Sequence, residues 1–357
     1  MKIVEYQSGD HHTLRQLCEQ LPSVHGLRYA DFVDHYYASS DFCRLHLMLD
    51  DNERCVGCVG VEKMPFETPT GAVTVGFGSN YHAFESGAGG ILFLHWVRQC
   101  GLGLNFGGSP DAQRIIDHQK WTRYSGIDTL HLNAAYAQSP GDTFWKRTAK
   151  NVLTHSPVKT RIDRRAAAVL ADSSSPIEAV PEQRATADLL TFESPFDVRF
   201  APDADYLNWR YATNLSFARY HLLRLVQSGE TVGYVVLNEQ PNRVLIAHAD
   251  ASSPDVLARG MIAALGTVCR GRLSGTGVVA TTSHPVLKQT LVDFGFRARR
   301  HGRGLAIGGL GKQPPFPDDT SNWLISEDWG DNGLRAPFLG RSPDFTAVAD
   351  SPLQAAA

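Results

Sequence analysis

No apolar run in this 357-residue sequence reaches the ~18–20 residues that a membrane-crossing helix requires. The first six residues, Met1 to Tyr6, lead straight into polar sequence without a signal-peptide core, so a cytoplasmic protein is expected. Cysteine is scarce. The six (Cys18, Cys43, Cys55, Cys58, Cys100, Cys269) are too few and too irregular for a disulfide framework, and Cys55 and Cys58, set in an apolar stretch, read as core residues. Charge of one sign is also lacking: 34 basic residues oppose 37 acidic ones, a net charge of −3. Neither DNA nor a membrane is therefore expected as a partner. His11, His12, His46, His221 and His284 show no metal-ligand spacing, and there is no phosphate-binding Walker loop or nucleophile elbow. Gly101-Leu102-Gly103 precedes a strand rather than following one, which is the wrong context for a dinucleotide fingerprint.

What is present is enough apolar sequence for a substantial core, with 43% hydrophobic against 20% charged residues. The length suits two domains of roughly 150–180 residues. A repeat supports that division. Arg44-Leu45-His46-Leu47 leading to Val56-Gly57-Cys58-Val59 matches Arg219-Tyr220-His221-Leu222 leading to Val232-Gly233-Tyr234-Val235. Each reads as two strands joined by a polar turn. Ser109-Pro110-Asp111 and Ser283-His284-Pro285 both open helical runs, with a serine in the capping position. The four matched pairs Arg44/Arg219, Gly57/Gly233, Ser109/Ser283 and Trp121/Phe296 are offset by 175, 176, 174 and 175 residues. A single offset across four landmarks points to duplication.

Each half then reads as a helix, three strands, and an alternation of helix and strand. In the first half the segments are 10–20, 43–49, 55–63, 72–80, 87–100, 102–106, 111–120 and 122–132. In the second they are 203–211, 220–226, 231–238, 244–249, 254–270, 277–281, 285–294 and 297–307. This order implies two mixed sheets flanked by helices. The expected divisions are an N-terminal domain over 1–170, a linker over 171–185, a C-terminal domain over 186–312 and a segment and tail over 313–357.

The order of elements, with a glycine cluster opening the helix after the meander, resembles the GNAT N-acyltransferase fold. The tandem arrangement resembles two-domain proteins of that fold, including the Fem aminoacyltransferase type and acyltransferases found with bacterial polysaccharide synthesis. The implied fold class is α/β, with two tandem GNAT-like domains, each a mixed, mostly antiparallel central sheet flanked by helices. The family's acyl-CoA loop, Arg/Gln-x-x-Gly-x-Gly/Ala, corresponds to Phe84-Glu85-Ser86-Gly87-Ala88-Gly89-Gly90, with Phe84 standing where the family has Arg or Gln. Backbone amides of Ser86, Gly87, Ala88, Gly89 and Gly90, together with the helix N-terminus, suit a pyrophosphate. The second half has Asp250-Ala251-Ser252-Ser253-Pro254-Asp255 there, without glycines, so a cofactor is expected in the first half alone. Two further stretches, Asp205-Tyr206-Leu207-Asn208-Trp209-Arg210-Tyr211 and Asn322 to Trp329, resemble segments of the tandem proteins and read as packing between the units or, alternatively, as a wall of the substrate site.

The resemblance implies transfer of an acyl group from acetyl-CoA or another acyl-CoA to the amine of a small metabolite, an amino sugar being one example. The alternatives are Fem-like aminoacyl transfer from charged tRNA, and a degenerate pair that binds without catalysis. The basic runs 159–165 and 297–300 are what a tRNA would use. The position at which the family often carries an acidic tyrosine falls at Ile116, and at Thr290 or Leu291 in the second half. Replacement candidates lie at the ends of the central strands: His82 as a base, Tyr81 as an acid or orienting group, and Glu85 and Asp250 as carboxylates. His248 and Asp250, two apart on a strand, are expected to share a face.

Overall fold

The two hairpins read from the sequence form as expected, each extended by a third strand into a meander. In the computed structural model the described residues are 1–22, 25–132, 143–154, 177–240, 243–269, 277–300, 304–329 and 344. The basic run at 159–165, the start of the linker (171–176) and the tail from 330 lie outside them, apart from Asp344. The first half contains β1 (Lys2–Glu5), α1 (Arg15–Glu19), α2 (Ala30–Ala38), β2 (Cys43–Leu49), β3 (Cys55–Thr68), β4 (Gly71–Ala83), α3 (Ala88–Cys100), β5 (Gly103–Phe106), α4 (Pro110–His118), β6 (Thr122–Tyr124), β7 (Asp128–Leu132) and α5 (Phe144–Thr154). The second contains β8 (Glu178–Glu182), β9 (Val198–Phe200), α6 (Ala204–Arg210), β10 (Arg219–Gln227), β11 (Glu230–Gln240), β12 (Arg243–Ala251), α7 (Pro254–Val268), β13 (Gly277–Thr282), α8 (Pro285–Phe294), β14 (Arg297–Arg300), β15 (Leu305–Gly308) and β16 (Trp323–Leu324).

Two mixed, mostly antiparallel sheets result. The first runs β1-β2-β3-β4-β5-β15-β6 and the second β14-β7-β13-β12-β11-β10-β8, so the same positions recur in the same order. One position in each is filled by the other half. β7 pairs antiparallel with β13 and β14 of the second sheet, and β15 pairs with β5 and β6 of the first. This corrects the reading of 122–132 and 297–307 as single strands. Each breaks in two, the first at Ser125-Gly126-Ile127, where Gly126 adopts a left-handed φ of 85°. The chain then crosses to the partner sheet instead of continuing in its own.

The helices begin where short polar side chains can take up the unbonded amides of a first turn. Ser109 accepts from the Ala112 amide at 3.2 Å and Ser253 from Val256 at 3.2 Å, each followed by proline. At α8 the cap is His284 rather than Ser283, whose hydroxyl instead donates to the Thr320 carbonyl at 2.6 Å.

One apolar core lies between the sheets and draws on both halves, with Phe32, Tyr36, Trp209, Phe217 and Trp329 among its members. The outer cores are smaller. Leu92 and Trp96 of α3 pack on Met48 and Val59, and Leu265 and Leu291 of α7 and α8 pack on Leu225 and Val235. Helices α2 and α6, which begin 174 residues apart, meet in the central core through a reciprocal pair of hydrogen bonds. A His35 ring nitrogen lies 2.9 Å from the Trp209 carbonyl, and the Trp209 indole N–H donates to the His35 carbonyl at 3.3 Å. Equivalent positions contacting each other is the signature of two-fold pairing, here within one chain.

Candidate functional site

Strands β4 and β5 run parallel, but they pair only at Gly76–Gly103 and Phe77–Leu104. Beyond that point the sheet opens. β4 continues through Gly78 to Ala83 and β5 ends at Phe106. The pairing of β4 with β3 shifts register between Cys58 and Gly60, so β4 bulges at Asn80 and Tyr81. Asn80 has a φ of 46°, a left-handed conformation that asparagine tolerates better than most side chains. Its amide donates to the Tyr37 hydroxyl, which lies 3.3 Å from Ser79 Oγ.

The strand leads into the first turn of α3. Gly87 occupies its N-cap with a φ of 81°, and no side chain among the described residues caps the helix. A β-carbon at Gly87 or Gly90 would meet nothing within 4 Å, and one at Gly89 would meet only Tyr81 Oη at 3.2 Å and Ala83 Cβ at 3.7 Å. An uncapped helix start with open space before it fits an anionic group of the size of a pyrophosphate. The exposed Phe84 and Ile91 flank it with apolar surface.

The sequence candidates therefore fall into two groups. Tyr81, His82, Glu85 and residues 86–90 are brought together on one strand–turn–helix unit. Tyr81 is less available than its type suggests, because its hydroxyl donates to the Gly89 carbonyl and pins strand to helix, and burial raises its pKa to about 12. His82 faces a partner that sequence reasoning missed: its Nε2 lies 3.2 Å from Nε2 of His25. His25 Nδ1 accepts from the Leu27 amide at 3.3 Å, which places the His25 proton on Nε2, aimed at the His82 lone pair. Burial lowers the pKa of His82 to about 4, so it is neutral near pH 7. Glu85 is half-buried, and its carboxylate acts electrostatically on Arg54.

Asp250 is not part of this unit. It is buried on β12 and accepts from Ser194 Oγ at 2.7 Å and from Arg199 at 2.8 Å, while Arg199 also reaches Glu67 of the first sheet at 2.6 Å. Burial raises its pKa to about 6, and the Arg199 charge opposes the shift. Asp250 thus helps join the halves. His248, two residues away, bonds to the Tyr234 hydroxyl at 2.8 Å rather than to Asp250, and burial lowers its pKa to about 3.

The second sheet has its own opening, since β12 and β13 pair only over Arg243–Leu245 and Gly277–Val279. It is filled from within the chain. The 3-10 turn Glu327–Trp329 packs against both strands, with the Thr281 hydroxyl donating to Glu327. Asp328 accepts from Arg210 at 3.1 and 3.3 Å and from the Tyr211 hydroxyl. Arg210 also donates to Glu62 of β3 at 2.8 Å, and Tyr206 donates to the same carboxylate. The tryptophan-arginine-tyrosine and acidic C-terminal stretches picked out in the sequence thus form one buried clasp across the two halves. His248, Asp250, Thr281 and Thr282 at this opening are 1%, 1%, 4% and 1% exposed, whereas Asn80, Tyr81, His82 and Phe106 at the first are only half-buried. Among the described residues, the first opening is thus the more exposed of the two.

Among the described residues, no group of three or more His, Cys, Asp and Glu is placed to hold a metal, and no helix is long and apolar enough to cross a membrane. No protein-family model matches the chain, and no curated protein matches it in sequence. Solved structures do match. One is a protein from Enterococcus faecalis described as a probable N-acyltransferase, with a TM-score of 0.51 and 9% identity over 86% of this chain and 72% of that one. Others are GCN5-related N-acetyltransferases from Kribbella flavida (TM-score 0.51, 12% identity, 87% and 72% covered) and Anabaena variabilis (TM-score 0.50, 10% identity, 86% and 72% covered). At such identities the likeness is one of fold, and with the two matching sheets it makes the chain a tandem of GNAT-fold units.

Proposed function

We propose that the protein is an N-acyltransferase that takes an acyl group from an acyl-CoA, acetyl-CoA being the simplest, and passes it to the amine of a small molecule. One observation carries the reading: the first sheet opens between β4 and β5 directly onto the uncapped start of α3, while the matching opening of the second sheet is closed by the chain itself. The amides of Ser86, Gly87, Gly89 and Gly90 would hold the pyrophosphate, whereas that of Ala88, expected to join them, already donates to the Glu85 carbonyl at 3.2 Å; an acyl-CoA, when bound, supplies the acyl group as a reactive thioester. Tyr81 keeps the cradle in register with the strand through its bond to the Gly89 carbonyl.

The acceptor amine must reach the thioester carbonyl with its lone pair exposed. A C–N bond forms, the C–S bond breaks, and the nitrogen sheds one proton as the thiolate gains one. His82 stands at the mouth of the opening in its neutral form, but its Nε2 lone pair already takes the His25 N–H. It can receive the amine proton only after acceptor binding separates the two rings. Ile116, where the fold often carries an acidic tyrosine, is fully buried among apolar side chains. That position supplies no acid, so the departing thiolate takes its proton from solvent or from another donor at the opening.

The test is ligand-induced stabilisation followed by a transfer assay. An acyl-CoA at a hundred times its dissociation constant should stabilise the fold by ~2.7 kcal/mol. Thiol release on addition of a panel of small amines then identifies the acceptor. Melting curves unmoved by any CoA thioester would overturn the proposal, and a shift with aminoacyl-tRNA instead would transfer it to the Fem-like reaction.

A further inference from the structure

Helix α5 is set apart from the rest of the chain by what it leaves uncovered. Its eleven residues contain the three most exposed large hydrophobic side chains among the described residues: Phe144 at 72%, Trp145 at 78% and Val152 at 67%. The other five tryptophans are all buried. At 3.6 residues per turn, Phe144, Thr148 and Val152 form one column, Trp145 and Ala149 form the next, and Lys146 and Arg147 fall on the remaining arc. The Phe144 and Trp145 rings are 5.7 Å apart, edge to face, and so make a continuous apolar surface.

The charge of this stretch of sequence is equally one-sided. Residues 143–162 contain five Lys and Arg (Lys146, Arg147, Lys150, Lys159, Arg161) and no Asp or Glu. The remainder of the chain, with 29 basic and 37 acidic residues, is markedly acidic. A near-neutral total therefore conceals a basic segment on an acidic body. Net charge and the lack of a spanning run argue against a transmembrane protein, but neither bears on a short helix lying flat in an interface.

We propose that α5 docks on an anionic lipid surface, with Phe144, Trp145 and Val152 entering the boundary between headgroups and acyl chains while Lys146 and Arg147 remain among the phosphates. Aromatic and aliphatic side chains on one arc with cations on the other form the pattern of interfacial helices. Val152 argues for lipid over nucleic acid, because base stacking needs a π-face and valine has none. The acidic remainder of the protein, repelled by the same surface, sets the orientation in which α5 approaches first.

The experiment is co-sedimentation of the full-length protein with vesicles of phosphatidylcholine alone and with vesicles in which about a third of the lipid is phosphatidylglycerol. Binding is expected to the anionic vesicles, to weaken with added salt, and to blue-shift the emission of Trp145. Phe144→Ser with Trp145→Ser, and separately Lys146→Glu with Arg147→Glu, should each lower partitioning at least about tenfold with thermal melting unchanged. Three results would overturn the proposal: no binding to anionic vesicles at low salt, equal binding to both vesicle types, or wild-type partitioning of the aromatic variant. Binding of tRNA without binding of vesicles, lost in the same variants, would also overturn it by making α5 a nucleic-acid face.

Discussion

Replacing Arg210 by methionine tests the account of the clasp most directly. The guanidinium is fully buried and donates to Glu62 of β3 and Asp328 of the C-terminal turn, so one cation is shared by two carboxylates from opposite ends of the chain. Methionine fills much of the volume but leaves both carboxylates buried without a counter-charge. Breaking a buried pair in this way typically costs about 3–5 kcal/mol, against a total stability of order 5–15 kcal/mol. Glu62→Gln should behave very differently. The site holds one negative charge more than it neutralises, and burial already pushes the Glu62 carboxyl above its usual range, with Arg210 holding it back. Removing that surplus charge at nearly constant shape should cost about 1 kcal/mol or less. The assay is urea unfolding followed by tryptophan fluorescence, since Trp209, Trp323 and Trp329 lie around the clasp. The sign with pH follows by linkage. With Arg210 gone, the Glu62 carboxyl, already raised by burial, loses the charge that holds it back, so the deficit should be full at pH 7 and shrink as Glu62 protonates. A midpoint for Arg210→Met within about 1 kcal/mol of wild type, or a deficit that grows with acid, would refute the argument.

Other outcomes follow from the same geometry. Gly90→Asp meets no neighbour within 4 Å and adds a negative charge at a helix N-terminus, so melting should hold or rise while acyl-CoA stabilisation disappears; the two readouts part ways only if the cradle binds an anion. His248, held near pKa 3 in the fold against about 6.5 when unfolded, should make stability fall as pH drops below about 6.5, by up to roughly 5 kcal/mol at the acid limit. Asp250, raised to about 6, contributes a smaller change of opposite sign; urea midpoints for His248→Gln should therefore depend less on acid than those of wild type. Residues 1–170 and 186–357 expressed separately should each lack the strand next to one edge of their sheet and resist folding, while co-expression should restore a complex, as gel filtration and circular dichroism would show.

Much of the architecture was legible because duplication leaves a pattern independent of any one residue. The offset near 175 aligned hairpins and helix starts that, taken singly, were weak. The same offset also holds between α2 and α6, and would have found α2, which the strand-and-turn reading passed over. The exchange of β7 and β15 was invisible because Thr122–Leu132 and Arg297–Ile307 have the alternation of ordinary strands, and pairing with a distant partner leaves no local trace. The glycine-rich turn that opens α3 could be read from the sequence. His25 could not, since it is brought to His82 by a loop fold that spacing does not encode. Asp250 was misleading in the opposite way. A carboxylate at a strand exit looks like a reacting group until Arg199 and Ser194 are seen to be bonded to it.

The crossed strands also bear on how the chain is made. Synthesis delivers β6 long before β15, the strand that covers it, and roughly 180 residues separate them. At about 5–20 residues per second, the nascent N-terminal sheet keeps the edges of β5 and β6 bare for about 10–40 s. Over that interval an open, hydrogen-bond-hungry margin is available to any other extended chain. Cellular production should therefore depend on chaperone cover during elongation more than the stability of the finished protein would suggest.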